Sequence, residues 1–73
     1  MSKLKCINVG EGFGNFYTVG KIYYSVDYLC VTDNSSTWED EYQWDLEPDG
    51  LTIREHCCNE DSRIVATFEI VEE

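Results

Sequence analysis

The chain has 73 residues, of which fifteen are Asp or Glu and five are Lys or Arg, and its formal net charge is −10. This length allows a single domain, residues 1–73, with a small core, and leaves no room for a catalytic cleft between domains. The charge argues against direct nucleic-acid binding, because affinity for phosphate rests on clustered Lys and Arg side chains.

The first half of the chain is predicted to form short strands. Alternation over residues 4–9 predicts a first strand, and the glycine-rich segment 10–15 predicts a loop. From residue 16 to 33, Val, Ile and Tyr recur with a period of two, which is typical of half-buried strands and predicts a strand pair. In this segment Ile22, Tyr24 and Val26 fall on one side, and Leu29 and Val31 follow after a break.

The second half is predicted to contain a second hairpin and a closing strand. Residues 33–37 read as a turn, and residues 42–46 as a strand with its aromatic side chains on one face. Pro48 within residues 47–50 gives the strongest turn signal, so residues 42–55 are predicted as a hairpin. Residues 64–66 suggest a single 3₁₀ turn. The last strand, 68–71, is predicted to turn Phe68 and Ile70 inward.

The resulting count is five or six short strands and no helix, which predicts an all-β fold, a small antiparallel barrel. Several segments also occur in a recurring order: Lys5-Cys6-Ile7, a glycine loop, Thr18-Val19-Gly20-Lys21-Ile22-Tyr23, Val31-Thr32-Asp33 and Phe68-Glu69-Ile70-Val71. This order resembles that of small SH3-like β-barrel proteins encoded by bacteriophages. The resemblance implies an SH3-like barrel and a phage accessory protein in the bacterial cytoplasm, and it carries over no catalytic residue. Residues 35–62 depart from the pattern, being longer than it needs.

The most singular feature is an acidic tract over residues 33–49, in which seven carboxylates are interleaved with aromatic side chains. Carboxylates spaced over a small barrel can imitate the phosphates of nucleic acid and bind a basic groove, with aromatic residues as buried anchors. The alternative is a solvated turn and strand face whose aromatic residues belong to the core. The predicted partner-binding residues are Asp33, Trp38, Glu39, Asp40, Glu41, Asp45, Glu47 and Asp49.

Metal binding and catalysis are weaker interpretations of the same sequence. Alternating Asp33, Ser35, Thr37 and Glu39 resemble a calcium loop, but the glycine at its sixth position and flanking helices are missing. Cys6, Cys30, His56, Cys57 and Cys58 lack the paired spacing of a structural zinc site, and Cys6 and Cys30 read as core residues. A nucleophilic Cys57 beside His56 has no orienting third group. We therefore expect no metal, no cofactor and no enzymatic activity, with the histidine at the surface.

Taken together, the sequence favours a non-enzymatic protein that binds and inhibits a host protein with a basic surface, such as a defence nuclease, a restriction system or transcription machinery. The alternative is a small adaptor barrel that binds a peptide or partner without inhibition, using exposed aromatic side chains. No apolar run approaches the roughly 20 residues that span a bilayer, and residues 1–10 lack a signal-peptide core, so we expect a cytoplasmic protein without membrane contact. It is expected to be a monomer, or a homodimer paired through an exposed edge strand.

Overall fold

A computed structural model of the chain describes residues 2–27, 29–38, 41–56 and 59–71. It contains six strands: β1 (Ser2–Val9), β2 (Ile22–Val26), β3 (Cys30–Val31), β4 (Trp44–Asp45), β5 (Thr52–Arg54) and β6 (Ile64–Val71). The described ranges hold strands, turns and bends but no helix, and so none long and apolar enough to cross a membrane.

All six strands belong to one antiparallel sheet with the order β4-β3-β2-β1-β6-β5. The two ends of this sheet approach each other, because the Glu47 amide donates to the Thr52 carbonyl at 2.8 Å across the turn that joins β4 to β5. The sheet therefore curls into a nearly closed barrel. This confirms the predicted all-β class and is consistent with a small SH3-like barrel.

The core lies inside the curled sheet and is built around aromatic side chains. The Tyr17 ring meets those of Tyr23 and Phe68 edge-on, at centroid distances of 4.9 Å and 5.4 Å. Such tilted ring pairs add stabilisation beyond the area they bury. The buried apolar residues are Leu4, Cys6, Phe13, Tyr17, Tyr23, Val31, Leu46, Ile53, Val65, Ala66 and Phe68.

The structure shows which face of β2 is buried. Ile22, Tyr24 and Val26 do share a face, but the core receives Tyr23 and Ser25. Tyr23 pairs with buried Leu4 in the β1–β2 register, so its side chain points inward. At the barrel end, its hydroxyl oxygen accepts a hydrogen bond from the Thr18 amide at 2.8 Å. This bond offsets the free-energy cost of burying the polar hydroxyl group.

Three further expectations are wrong. Residues 42–55 do not form a hairpin ladder, because β4 pairs with β3 and β5 with β6, although the turn at 47–50 is present. Residues 64–66 belong to β6 rather than to a 3₁₀ turn, since pairing with β1 and β5 holds them extended. Ile70 lies opposite Leu4 but remains 46% exposed, because β5 does not extend along this end of β6.

Candidate protein-binding surface

Asp33 organises the loop that follows β3. Its Oδ1 accepts hydrogen bonds from the Ser35 amide at 2.9 Å and the Ser35 hydroxyl at 2.7 Å. Its Oδ2 accepts from the Trp44 indole N–H at 2.8 Å, which ties the loop to β4. The residue is only 7% exposed, so this predicted partner-binding carboxylate serves first to hold the loop.

These hydrogen bonds also set the charge state of Asp33. Burial by itself would raise the pKa of the carboxyl group, since it disfavours the charged form. The donors of Ser35, Trp44 and Ser36 outweigh burial and lower the pKa below its ordinary value. Asp33 is therefore a fixed negative charge at neutral pH.

Glu41 closes the same loop from its other end. Its Oε2 accepts from the Thr37 amide at 2.6 Å and from the Thr37 hydroxyl at 2.9 Å, and these bonds lower its pKa. The Ser36 hydroxyl donates to the Glu41 carbonyl at 2.7 Å. Between these two closures Trp38 is 73% exposed, the largest exposed fraction among the large apolar side chains of the described residues. The loop thus presents a tryptophan to solvent on a backbone held by hydrogen bonds.

A shallow pocket of about 170 Å³ lies beside Trp38. The pocket lies between the loop and the outward face of β2, where Ile22 and Tyr24 contribute apolar surface. Its lining residues are Lys21, Ile22, Tyr23, Tyr24, Thr32, Asp33, Ser36, Thr37 and Trp38. Sequence reasoning placed Asp33 and Trp38 at the binding surface but missed Ile22 and Tyr24, because alternation groups them on one face of β2 without showing that this face lies beside the loop.

Asn34 connects this pocket to the loop after the glycine-rich segment. Its Oδ1 accepts from the Tyr23 hydroxyl at 2.6 Å and the Lys21 ammonium group at 3.1 Å, while its amide nitrogen donates to the Thr18 hydroxyl at 3.2 Å. Three polar groups from residues 18–23 therefore meet at the Asn34 side chain. No pattern in the sequence marks Asn34, since a single asparagine after an aspartate reads only as a turn residue.

The other predicted carboxylates that the structure describes lie outside the lining of the Trp38 pocket. Asp45 is exposed on β4 and pairs with Cys30 of β3. Burial, then the charges of Asp45 and Asp27, raise the pKa of the Cys30 thiol, so it stays protonated and unreactive at neutral pH. Asp45 therefore contributes negative charge to the outside of β4.

Glu47 and Asp49 lie at a second groove of about 220 Å³, which also involves Pro48, Thr52, Arg54 and Glu60. Glu47 is buried and forms an ion pair with Arg54, with Nε to Oε1 at 3.5 Å. Asp49 accepts from the amides of Leu51 at 2.8 Å and Thr52 at 3.0 Å, which fixes the turn. Both carboxylates thus have partners within the chain.

The described carboxylates of the acidic tract therefore lie at three separate places on the molecule. Asp33, Trp38 and the closing Glu41 belong to the first loop, Asp45 to β4, and Glu47 and Asp49 to the second groove. Glu39 and Asp40 lie outside the described residues. The only exposed aromatic anchor among the described partner-binding residues is Trp38, so the surface around it is the best-formed candidate.

The alternative sites receive no support from the geometry. Within the described ranges, no three His, Cys, Asp or Glu side chains are grouped to hold a metal ion. His56 is exposed, as predicted, while Cys57 and Cys58 lie outside the described residues. Tyr17 and Tyr23 are buried, so they offer no ring to a peptide, and Tyr28 is outside the described residues.

No protein-family model, curated protein or solved structure matches this chain.

Proposed function

We propose that this protein is a non-enzymatic binding module that holds a basic surface of another protein against Trp38 and the neighbouring carboxylates. The observation that carries the proposal is an exposed tryptophan on a loop held by Asp33 and Glu41. Tryptophan is enriched among the residues that dominate binding energy at interfaces, and a rigid loop loses little conformational entropy on association.

The charge of the chain supports a basic partner. A formal net charge of −10 attracts positively charged surfaces and accelerates their encounter. Asp33 and Glu41, whose pKa values are lowered, stay ionised across the physiological range and keep the Trp38 loop negative. In the phage setting that the resemblance implies, the partner is a host nuclease, restriction enzyme or transcription protein, which this protein inhibits by occupying its basic groove.

A second candidate is an adaptor that binds a partner segment without inhibiting it. The pocket beside Trp38 favours this possibility, since Ile22 and Tyr24 add apolar surface on which an extended segment can rest. The two candidates share a surface and differ in the consequence for the partner. An activity assay on the captured partner separates them.

The test is affinity capture from a bacterial lysate at low salt, followed by binding measurements with each purified partner. We expect a basic protein that is released as salt rises, and a loss of affinity of about tenfold or more for Trp38→Ala. Leu29→Ala is the matched control, because Leu29 is 67% exposed and lies outside the pocket. Equal binding by the Trp38→Ala variant, or capture of no basic protein, would refute the proposal.

A further inference from the structure

The Lys and Arg side chains of the chain, five in all, divide into two groups. The two arginines are paired with glutamates: Arg54 Nε lies 3.5 Å from Glu47 Oε1. Arg63 Nη2 donates to Glu55 Oε2 at 2.7 Å. The lysines lie apart from these pairs, on or beside the outer face of β1 and β2. They are Lys3, Lys5 and Lys21.

The β1–β2 register places two of these lysines next to the Trp38 pocket. Alternate residues of β1 are buried, so Lys3 and Lys5 project from its outer face. Lys5 is directly opposite Ile22, and Lys3 is directly opposite a second lining residue, Tyr24. Side chains of directly opposed residues lie on one face of a sheet and within reach of each other. Both lysines therefore border the apolar floor of the pocket.

The third lysine lines the pocket itself. The Lys21 ammonium group donates to Asn34 Oδ1 at 3.1 Å and lies 5.4 Å from the centroid of the Tyr23 ring. Both of these groups are uncharged, so they position the ammonium group without neutralising it. In the ladders of β1, the one acidic residue directly opposite a lysine is Glu69, which faces Lys5 from β6. The sheet side of the pocket is therefore positive.

The loop side of the pocket is negative. Asp33 is one of its lining residues, and the Glu41 carboxylate accepts from the amide of Thr37, another lining residue. Trp38 lies on this side and is the exposed aromatic group of the loop. A uniformly basic segment laid over the pocket would bring like charges against the lysines, and such juxtapositions cost free energy at an interface. The pocket is complementary to a segment that carries both signs of charge.

We propose that the partner enters this pocket with a segment of mixed charge. An apolar side chain lies beside Trp38, an acidic group lies against Lys5 and Lys21, and basic groups face the loop carboxylates. This inference rests on the proposed function and specifies which part of a basic partner binds. The pocket volume of about 170 Å³ suits one side chain, whereas pockets for small-molecule ligands typically start at about 300 Å³.

Titration with blocked hexapeptides tests the charge pattern. Two peptides have mixed charge, Glu-Glu-Leu-Leu-Arg-Arg and the same residues in reverse order, and the third is all basic, Arg-Arg-Leu-Leu-Arg-Arg. The NMR signal of the Trp38 indole N–H reports binding at the pocket. We expect one mixed-charge peptide to bind about threefold or more tightly than the basic peptide, although the net charge of −10 attracts the basic peptide more strongly at long range. Tighter binding of the basic peptide, or no response to either mixed-charge peptide, would overturn the proposal.

A matched pair of variants isolates the contribution of Lys5. Lys5→Gln and Leu29→Glu each make the chain one unit more negative, but Leu29 is 67% exposed and lies outside the pocket lining. Lys5→Gln is expected to weaken the mixed-charge peptide about two- to fivefold without weakening the basic one. Leu29→Glu is expected to leave the mixed-charge peptide unchanged. Circular dichroism checks that both variants keep the barrel, and equal affinities of all three proteins for the mixed-charge peptide would refute the contact with Lys5.

The outcomes distinguish this inference from the proposed function. If the basic peptide binds more tightly and this binding is lost in Trp38→Ala, the proposed function stands and the mixed-charge segment is wrong. If Trp38→Ala captures the same basic protein from a lysate as strongly as the unaltered chain does, the proposed function fails as well.

Discussion

Two regions of the barrel are held together by different forces. β1, β2 and β6 meet in long antiparallel ladders over an apolar core, in which Phe68 lies against Tyr17 and Tyr23. The described residues of the segment 32–51 contain one strand of two residues, and their backbone is tied by carboxylates that accept hydrogen bonds from loop amides and hydroxyls. The first region is stabilised by burial and the second by side-chain hydrogen bonds.

The difference explains why the candidate surface belongs to the second region. The loop of the second region presents the Trp38 side chain to solvent on a backbone that hydrogen bonds hold in place. The same carboxylates that shape the loop supply its negative charge. The hydrogen bonds that hold this loop therefore depend on the ionisation of Asp33 and Glu41.

The largest effect is expected in the ladder region, for Phe68→Ala. Phe68 is 3% exposed and packs against two buried tyrosine rings, so truncation leaves a cavity in the centre of the core. We expect the free energy of unfolding to fall by about 3–5 kcal/mol, measured by urea denaturation. Ile70→Ala, two residues along the same strand, should cost less than about 1.5 kcal/mol in the monomer. Equal losses at the two positions would show that the core is not where these contacts place it.

A second prediction concerns the close approach of β1 and β6 at Gly10. The Gly10 amide donates to the Val65 carbonyl at 2.8 Å, and a Cβ at this position would overlap the Ile64 carbonyl oxygen. Gly10→Ala is therefore expected to destabilise the barrel by more than about 2 kcal/mol. Gly14→Ala, where a Cβ would meet nothing within 4 Å, is expected to be neutral or to stabilise by up to about 1 kcal/mol. Thermal unfolding of the two variants makes the comparison.

The sequence predicted the fold class because buried and exposed residues alternate with a period of two along β2 and along β1 as far as Cys6. It did not predict which face of β2 is buried: the face with Ile22 and Val26 lies outside, and Tyr23 fills the core. Alternation identifies two faces but does not decide which one is buried when both carry large side chains. Here the register with Leu4 decides, together with the hydroxyl partners that Tyr23 finds on distant loops.

The candidate site was predictable only in part. Composition singled out the acidic tract and Trp38, but it could not show that Asp33, Glu41 and Asp49 bind their own loops, since local hydrogen bonds depend on backbone turns. The prediction of a second hairpin was wrong for a related reason. A strong turn at 47–50 predicts that its flanks pair with each other, yet β4 pairs with β3 and β5 pairs with β6.

The loop region responds most strongly to Asp33→Asn. The substitution keeps one acceptor oxygen but removes the charge and the second acceptor, which weakens the bonds from Ser35 and the Trp44 indole. We expect a loss of about 1–3 kcal/mol in the free energy of unfolding. Asp45→Asn, on exposed β4, is the control and should stay within about 0.5 kcal/mol.

The same carboxyl group gives this loss a defined dependence on pH. Because the pKa of Asp33 is lower in the folded state than in the unfolded chain, its contribution is fully present above about pH 4 and disappears as the pH falls through the lowered folded value. The stability curves of the two proteins should therefore converge in strong acid, separate as the pH rises toward about 4, and keep a constant difference above it. Parallel curves down to about pH 2 would contradict the assignment of Asp33 as the ionised centre of the loop.

The smallest effect is expected for substitutions of Asp49, which distinguish the negative charge of its carboxylate from its role as a hydrogen-bond acceptor in the turn. Asp49→Ala removes the acceptor that fixes the Leu51 and Thr52 amides and is expected to cost about 1 kcal/mol, whereas Asp49→Asn keeps that acceptor and should cost less than about 0.5 kcal/mol. Urea denaturation measures both free energies of unfolding.

The Asp49→Asn substitution also removes one negative charge from the second groove without reshaping it. If partner binding weakens in Asp49→Asn while stability holds, the second groove belongs to the interface with the Trp38 loop; if binding is unchanged, the carboxylate at 49 serves the fold alone.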